Sequence, residues 1–303
     1  MSWILLSLLA PLFWAASNIF DKYALEKVTR GVYDFLFFGS IGAFLAGIGA
    51  FAVFGLDEIS RAALFPIAGG FLIQYSYLFY SYALQKEDAS YVIPLYITYS
   101  VVVLVLARFF GEVISSPQLI SFFIVFSGAF VLSFKELSFD LLQMLRFRKG
   151  ALLMIPAVLL LSVDILFVNH ALKILSFTDV FIYDTLGFSL SVLPFFLVPS
   201  WRREILRGIQ SASLWKYGIF FINDVVDLSG HLVYKFALLA APAASLVAVL
   251  GGIQPFYVLA LGILFTLFLP KIVKENITKK ELSQKLIGAT IIVIGIALLN
   301  LYS

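Results

Sequence analysis

The stretch Asn223-Asp224-Val225-Val226-Asp227-Leu228-Ser229-Gly230-His231 places two carboxylates and an imidazole inside an apolar run over 214–239. On a helix, Asp224, Asp227 and His231 stand at i, i+3 and i+7, so all three share one face. Two carboxylates within one turn resist being ionised together, which readies one of them for proton exchange near neutral pH. Histidine titrates in the same range. A run of this length crosses a bilayer, and ionisable groups at that depth face a bundle interior or a water-filled cavity. The competing structural reading is a buried polar network tying this helix to its neighbours, with Lys235 or a tyrosine hydroxyl as partner. An Asp–His pair also ligates metals, but no third ligand is identifiable, so neither metal nor cofactor is expected.

Other polar residues extend the list. Asp164 stands in the middle of the run 151–172, with Asn169 and His170 nearer its end. Its rough counterpart is Asn18, one turn after Trp14 and one turn before Asp21. Asn18 and Asp164 are expected as ligands across a cavity, against the alternative of ordinary interhelical hydrogen bonds. Asp21 is expected to reach the interface. The run 62–84 carries Gln74, Tyr75, Tyr77, Tyr80 and Tyr82. Tyrosines join a flat apolar face to a hydrogen-bonding tip and suit aromatic or cationic organic ligands; Tyr82 and Tyr80 read as interfacial belt residues. Pro94, followed by Tyr96, Thr98, Tyr99 and Ser100, and the stretch Gly251-Gly252-Ile253-Gln254-Pro255 are backbone breakers at corresponding places in the two halves, a pointer to a transport site.

The substrate-binding candidates are therefore Trp14, Asn18, Gln74, Tyr77, Tyr99, Asp164 and Gln254, and the proton- or cation-coupling candidates are Asp224, Asp227 and His231. Asp34, Asp179 and Asp184 lie near the starts of runs and read as helix N-terminal caps. Gly39, Gly42, Gly47 and Gly49 read as sites of close helix packing. No phosphate loop, zinc motif or catalytic triad is present, so no catalytic residue is assigned. The rival is an intramembrane lipid-modifying or metal-dependent enzyme using Asp224, Asp227 and His231, which would gather polar groups near one interface. Here they are spread over several runs near mid-depth, which favours a pathway. A channel would show a ring of like charges or a filter motif, and neither is seen.

The elements that must position these residues follow from composition. Only 13% of the 303 residues are charged, against about 25% in soluble domains, and the mean hydropathy is +1.02. So little charge cannot cover a globular surface, and lipid must be the solvent for most of it. Apolar runs over 3–20, 33–54, 62–84, 89–110, 119–134, 151–172, 178–198, 214–239, 243–269 and 286–302 predict ten membrane-spanning helices, an all-α integral membrane protein. The first run lacks a basic flank and a cleavage site and reads as a retained span. With no cysteine, disulfides and thiolate chemistry are excluded.

A basic linker over 135–150 divides the chain into five-helix halves, 1–134 and 151–303. Tyr82-Ala83-Leu84 followed by Ala89-Ser90 is echoed by Phe236-Ala237-Leu238 followed by Ala244-Ser245. Because each half has an odd number of spans, the second must insert upside down, the inverted-repeat plan of many secondary transporters, with the site near the midplane. All Lys and Arg except Arg61, Arg108, Lys173 and Lys235 fall in or beside connections after odd-numbered spans. By the positive-inside rule this makes the linker cytoplasmic and the termini external, in the inner (plasma) membrane. The expected partners are a small-molecule substrate and the bilayer; the basic loops read as topology signals, not nucleic-acid sites. Both halves of the cavity lie in one chain, consistent with a monomer.

The run Tyr82-Ala83-Leu84-Gln85-Lys86-Glu87-Asp88-Ala89-Ser90, with Phe110-Gly111-Glu112 and Ser127-Gly128-Ala129 after it, resembles the EamA repeat. Phe236-Ala237-Leu238, Ala244-Ser245, Gln254-Pro255 and Gly288-Ala289 resemble a second copy. The resemblance implies a drug/metabolite transporter of ten helices in two inverted five-helix repeats. It implies transport, chiefly export, of a small organic metabolite or drug-like molecule by alternating access. Two departures stand out: a basic stretch over 271–280 replaces the second Gly-Glu, and the family pattern implies cytoplasmic termini, opposite to the charge bias.

Overall fold

The structure is a computed structural model that describes residues 2–57, 59–86, 89–97, 115–133 and 149–269, with isolated positions at 99, 102–103 and 106 and between 278 and 298. Among these residues all regular structure is helical. Helix α1 is Trp3–Tyr23 and runs on through a π turn, Ala24–Val28. Then come α2 (Val32–Phe54), a 3₁₀ turn (Arg61–Ala63), α3 (Leu64–Lys86), α4 (Ala89–Ile97) and α5 (Ser116–Ser133). The second half has α6 (Lys149–Ala171), α7 (Phe177–Leu190), a 3₁₀ turn (Leu193–Leu197), α8 (Pro199–Gln210) and α9 (Leu214–Ala240). It continues with α10 (Ala244–Leu250), a 3₁₀ turn (Gly251–Ile253) and α11 (Gln254–Phe268).

The boundaries have local causes. Ser176 caps α7 by accepting from the Asp179 amide at 3.2 Å, and Ser213 caps α9 by accepting from that of Lys216 at 3.2 Å. Pro199 and Pro255 open α8 and α11, where the missing N–H is harmless. The Gly-Gly pair turns the ninth span into α10, a 3₁₀ turn and α11, the break expected there; the described part of the fourth span is one helix through position 94.

Among the described residues six helical segments are long and apolar enough to cross a membrane: Trp3–Val28, Val32–Phe54, Arg61–Lys86, Leu152–Ala171, Phe177–Leu197 and Leu246–Phe268. Exposed apolar side chains such as Val53 and Leu45 suit lipid contact. With 27 residues, α9 spans about 40 Å, but Asp224, Asp227 and Lys235 make it too polar to count among the six. The linker 135–150, apart from its last two residues, the Gly111-Glu112 motif, Thr98, Ser100 and most of the tenth run lie outside the described residues.

Helix α1 packs along α9, and α3 along α6; α2 touches both α7 and α9, α3 also packs on α7, α1 on α11, and α4 on α6. A Cβ on Gly70 would strike the α7 backbone at Asp184 and Phe188, and one on Gly187 would strike Ile67, so α3 and α7 meet backbone to backbone. Gly47 likewise admits Thr185, and Gly42 admits Asp224; Gly49 faces open space, so the packing role expected of it is not found.

The N-terminal end of α2 is locked by residues the sequence did not mark. Glu204 of α8 accepts from the amides of Tyr33 (2.8 Å) and Asp34 (3.2 Å), satisfying donors a helix start leaves free. Gly31 holds the cap position of α2, so the cap expected of Asp34 is not found. From the first turn Asp34 reaches back to accept from the Arg30 amide and forms a buried ion pair with Lys216 at 2.8 Å. Trp201 stacks on Tyr33 with centroids 4.5 Å apart. Lys216, read as a loop charge, is 3% exposed.

Candidate functional site

Helices α1, α3 and α9 meet around two adjoining cavities. The first, about 720 Å³ and partly open, is bounded by α1, α2, α3, α7 and α9. The second, about 490 Å³, is bounded by α1, α3, α4, α6, α9 and α11. Ile73, Tyr77, Asp227 and His231 line both.

The shared residues form a compact cluster. The Tyr77 hydroxyl lies 3.4 Å from Asp227 Oδ1 and 3.4 Å from His231 Nε2, and His231 Nε2 lies 3.4 Å from Asp227 Oδ2. These are long contacts, at the outer edge of hydrogen bonding. One turn of α9 brings Asp227 and His231 together, and Tyr77 arrives from α3. The imidazole also meets the Trp14 indole edge-on at 5.3 Å, and Trp14 in turn rests on Gly230.

Asp224 does not join that cluster directly. It turns into the first cavity and lies against Gly39 and Gly42 of α2, where the absent Cβ leaves room for the carboxylate. Asp21 lies in the same cavity. It is 6% exposed and accepts from Asn223 Nδ2 at 2.8 Å, while Asn223 Oδ1 accepts from Ser17 at 2.9 Å. The expectation that Asp21 reaches the interface is therefore corrected, because the helix turn between Asn18 and Asp21 points inward against α9.

The remaining candidates sort between the cavities. Gln74 lines the first; its Nε2 donates to the Leu36 carbonyl at 3.2 Å. Trp14, Asn18, Tyr99, Asp164 and Gln254 line the second. Asn18 Oδ1 accepts from the Tyr80 hydroxyl at 2.9 Å. Tyr80 is only 1% exposed, so it is a core residue and not part of an interfacial belt. The Tyr99 hydroxyl sits against Gly251, where a Cβ would displace it.

Asp184 and Lys235 were not foreseen as a pair. Asp184 lies mid-helix in α7, not at its cap, and receives Lys235 at 2.6 Å with both side chains buried. Lys235 thus serves Asp184 and not the Asp224–Asp227 pair, although it shares their helix face. Asp179 is not the cap either, since Ser176 holds that position; it stands in the first turn of α7 and accepts from the Asp57 amide at 3.0 Å. Asp164 and Asp184 both point at Gly69, so a Cβ there would lie 2.6 Å from Asp164 Oδ1 and 3.7 Å from Asp184 Oδ1. The signal in the sequence was the counterion rule: a lysine or aspartate at membrane depth needs a partner. Spacing could not say which one.

Among the described residues no group of three or more His, Asp and Glu is arranged to hold a metal ion. The arrangement sets two carboxylates and an imidazole along α9, beside cavities walled in part by the rings of Trp14, Tyr77, Tyr96 and Tyr99.

Residues 1–134 match the EamA-like transporter family, which lies within the drug/metabolite transporter superfamily. A solved structure described only as a crystal structure of a protein shares the fold, with a TM-score of 0.65 and 16% identity. That match covers 99% of this chain and 97% of the other. No curated protein matches the sequence.

Proposed function

We propose that this chain, with its EamA-like residues 1–134, is a secondary transporter that moves a small organic metabolite or drug-like molecule by alternating access, with export as its direction. The family is a transporter family and the chain a multi-pass membrane protein. The observation that carries the reading is convergence. Ten residues on spans one, three, four, six, eight and nine line two cavities that share Tyr77, Asp227 and His231.

Two inverted five-helix repeats, 1–134 and 151–303, underlie this reading. Under that plan span one corresponds to span six, two to seven, three to eight and four to nine. The contact of α1 with α9 then exchanges with that of α6 with α3, and α2 with α9 exchanges with α7 with α3. The pair α1 and α11 exchanges with α6 and α4, and α2 with α7 maps onto itself. Such exchange supports a two-fold axis in the membrane plane, with the site at the junction of the halves. The halves differ in chemistry: α9 carries Asp224, Asp227 and His231, while its counterpart α3 carries Gln74 and Tyr77.

In the mechanism, Tyr77, Asp227 and His231 stand between the cavities. A proton on Asp227 or His231 lowers the charge at mid-depth and eases passage of substrate; its release restores the acidic face. Asp224 faces the first cavity and couples through Asp227, one turn away. In this reading the chain sits in the plasma (inner) membrane with the linker inside, an orientation that the charge bias supports, and works as a monomer.

The test is transport into proteoliposomes with and without an imposed pH gradient. Uptake is expected to follow the gradient, and Asp224→Asn with Asp227→Asn is expected to abolish that dependence. Unchanged uptake and pH response in the double variant would sink the coupling.

A further inference from the structure

The two cavities offer a ligand different hydrogen-bonding characters, the first almost wholly accepting and the second mixed. In the first, the buried side-chain atoms without a partner among the described residues are acceptors, Gln74 Oε1 and Asp184 Oδ1. The Gln74 amide orientation is fixed, because the atom facing the Leu36 carbonyl must be the donor nitrogen. Gln74 is completely buried, and an acceptor held there without a donor is expensive. Asp21, Asp224 and Asp227 line the same space. Among its described lining residues the cationic groups are Lys235, already engaged by Asp184 at 2.6 Å, and His231, beside Asp227. The cavity therefore presents acidic groups and an amide oxygen with too few donors to answer them.

The second cavity differs. Its buried atoms without a partner among the described residues include the donors Trp14 Nε1 and Asn18 Nδ2, the Tyr99 hydroxyl, and one carboxylate oxygen, Asp164 Oδ1. Rings from Trp14, Tyr96 and Tyr99 form much of its wall.

We propose that the cargo is an organic cation: a primary or secondary amine whose ammonium enters the first cavity and whose ring-bearing, acceptor-carrying body fills the second. The ammonium supplies donors to Gln74 Oε1, Asp224 and Asp21. An ether, hydroxyl or carbonyl oxygen on the body accepts from Trp14 Nε1 and Asn18 Nδ2. Tyr77 lines both cavities and so stands at the junction, beside the cation's path. This inference rests on the transporter reading and adds the charge and polarity of what is carried.

Three matched probes test it on the purified full chain: 4-methoxyphenethylamine, its neutral N-acetyl derivative, and 3-(4-methoxyphenyl)propionate. The amine is expected to raise the unfolding temperature saturably, and the other two to leave it unchanged. Asp224→Asn and Gln74→Leu should each weaken amine binding roughly tenfold or more. If Gln74→Leu does not fold, Gln74→Glu keeps the shape and is expected to tighten amine binding. No response to the amine, an equal response to either analogue, or wild-type amine affinity in the variants overturns the proposal. Proteoliposome uptake separates the two readings. If the neutral or acidic probe is carried and the amine is not, the cargo assignment is wrong and transport stands; if none is carried above empty liposomes, both readings fall.

Discussion

The Asp184–Lys235 pair shows how burial decides what a charged residue does. Both side chains are buried and 2.6 Å apart, so neither can rely on water for compensation. Removing one partner strands the other, which costs about 3–5 kcal/mol, while replacing both by apolar groups is often near neutral. Lys235→Met and Asp184→Leu are each expected to lower unfolding free energy by about that amount, and the double variant to recover much of it. Denaturant titration in detergent gives the coupling; additive losses would show that the pair is not energetically linked. Asp224 is a contrasting case. It fits only because residue 42 has no Cβ, so Gly42→Ala is expected to push the carboxylate aside. Uptake should fall several-fold with little change in melting temperature, whereas a parallel loss of both would mark Gly42 as a packing residue first.

At the scale of elements, α3 and α7 approach closely where Gly70 and Gly187 bring backbone onto backbone. A methyl group there has no flexible side chain to displace. Gly70→Ala is expected to cost about 1–3 kcal/mol or more from overpacking, read as a lower melting temperature; an unchanged value would mean the helices are not held at this distance. The end of α2 depends on Glu204, which answers two free amides. Glu204→Ala should destabilise the fold by about 0.5–2 kcal/mol, the worth of a helix cap, in the same assay. The helices themselves were legible because a bilayer demands long apolar runs, and the break at Gly251-Gly252 because glycine and proline act locally. All ten candidate residues line the two cavities for a similar reason: polar groups at membrane depth have few other places to go. What could not be read were pairings between distant helices. Lys235 shares a face with His231 and Asp227 yet serves Asp184, and Asp34 was legible as belonging to the start of α2 but not as the partner of Lys216. Amphipathic α8 was hidden in what looked like a loop, because its role is to seal the start of α2 and not to cross the membrane.

For the whole molecule, orientation is the property most sensitive to these corrections. The asymmetry of Lys and Arg was counted as though each were a loop charge, yet Lys216 and Lys235 are buried and paired. Setting both aside leaves Arg61, Arg108 and Lys173 on the sparse side, and the crowded side loses only one member. The bias therefore survives on its exposed residues, among them Arg202, Arg203 and Arg207 of α8, and the expectation from it is still a linker inside. The chain contains no cysteine, so single cysteines can be introduced without removing any. Ile59 is 88% exposed in the connection after α2, and Ser138 belongs to the linker. A membrane-impermeant thiol reagent is expected to label Ile59→Cys on intact cells and Ser138→Cys only after permeabilisation. The reverse pattern would invert the molecule and, with it, the side from which the acidic cavity draws its cargo. The assay thus fixes whether the partly open first cavity, with Asp21, Asp224 and Asp227 on its walls, loads from the cytoplasm, as export requires.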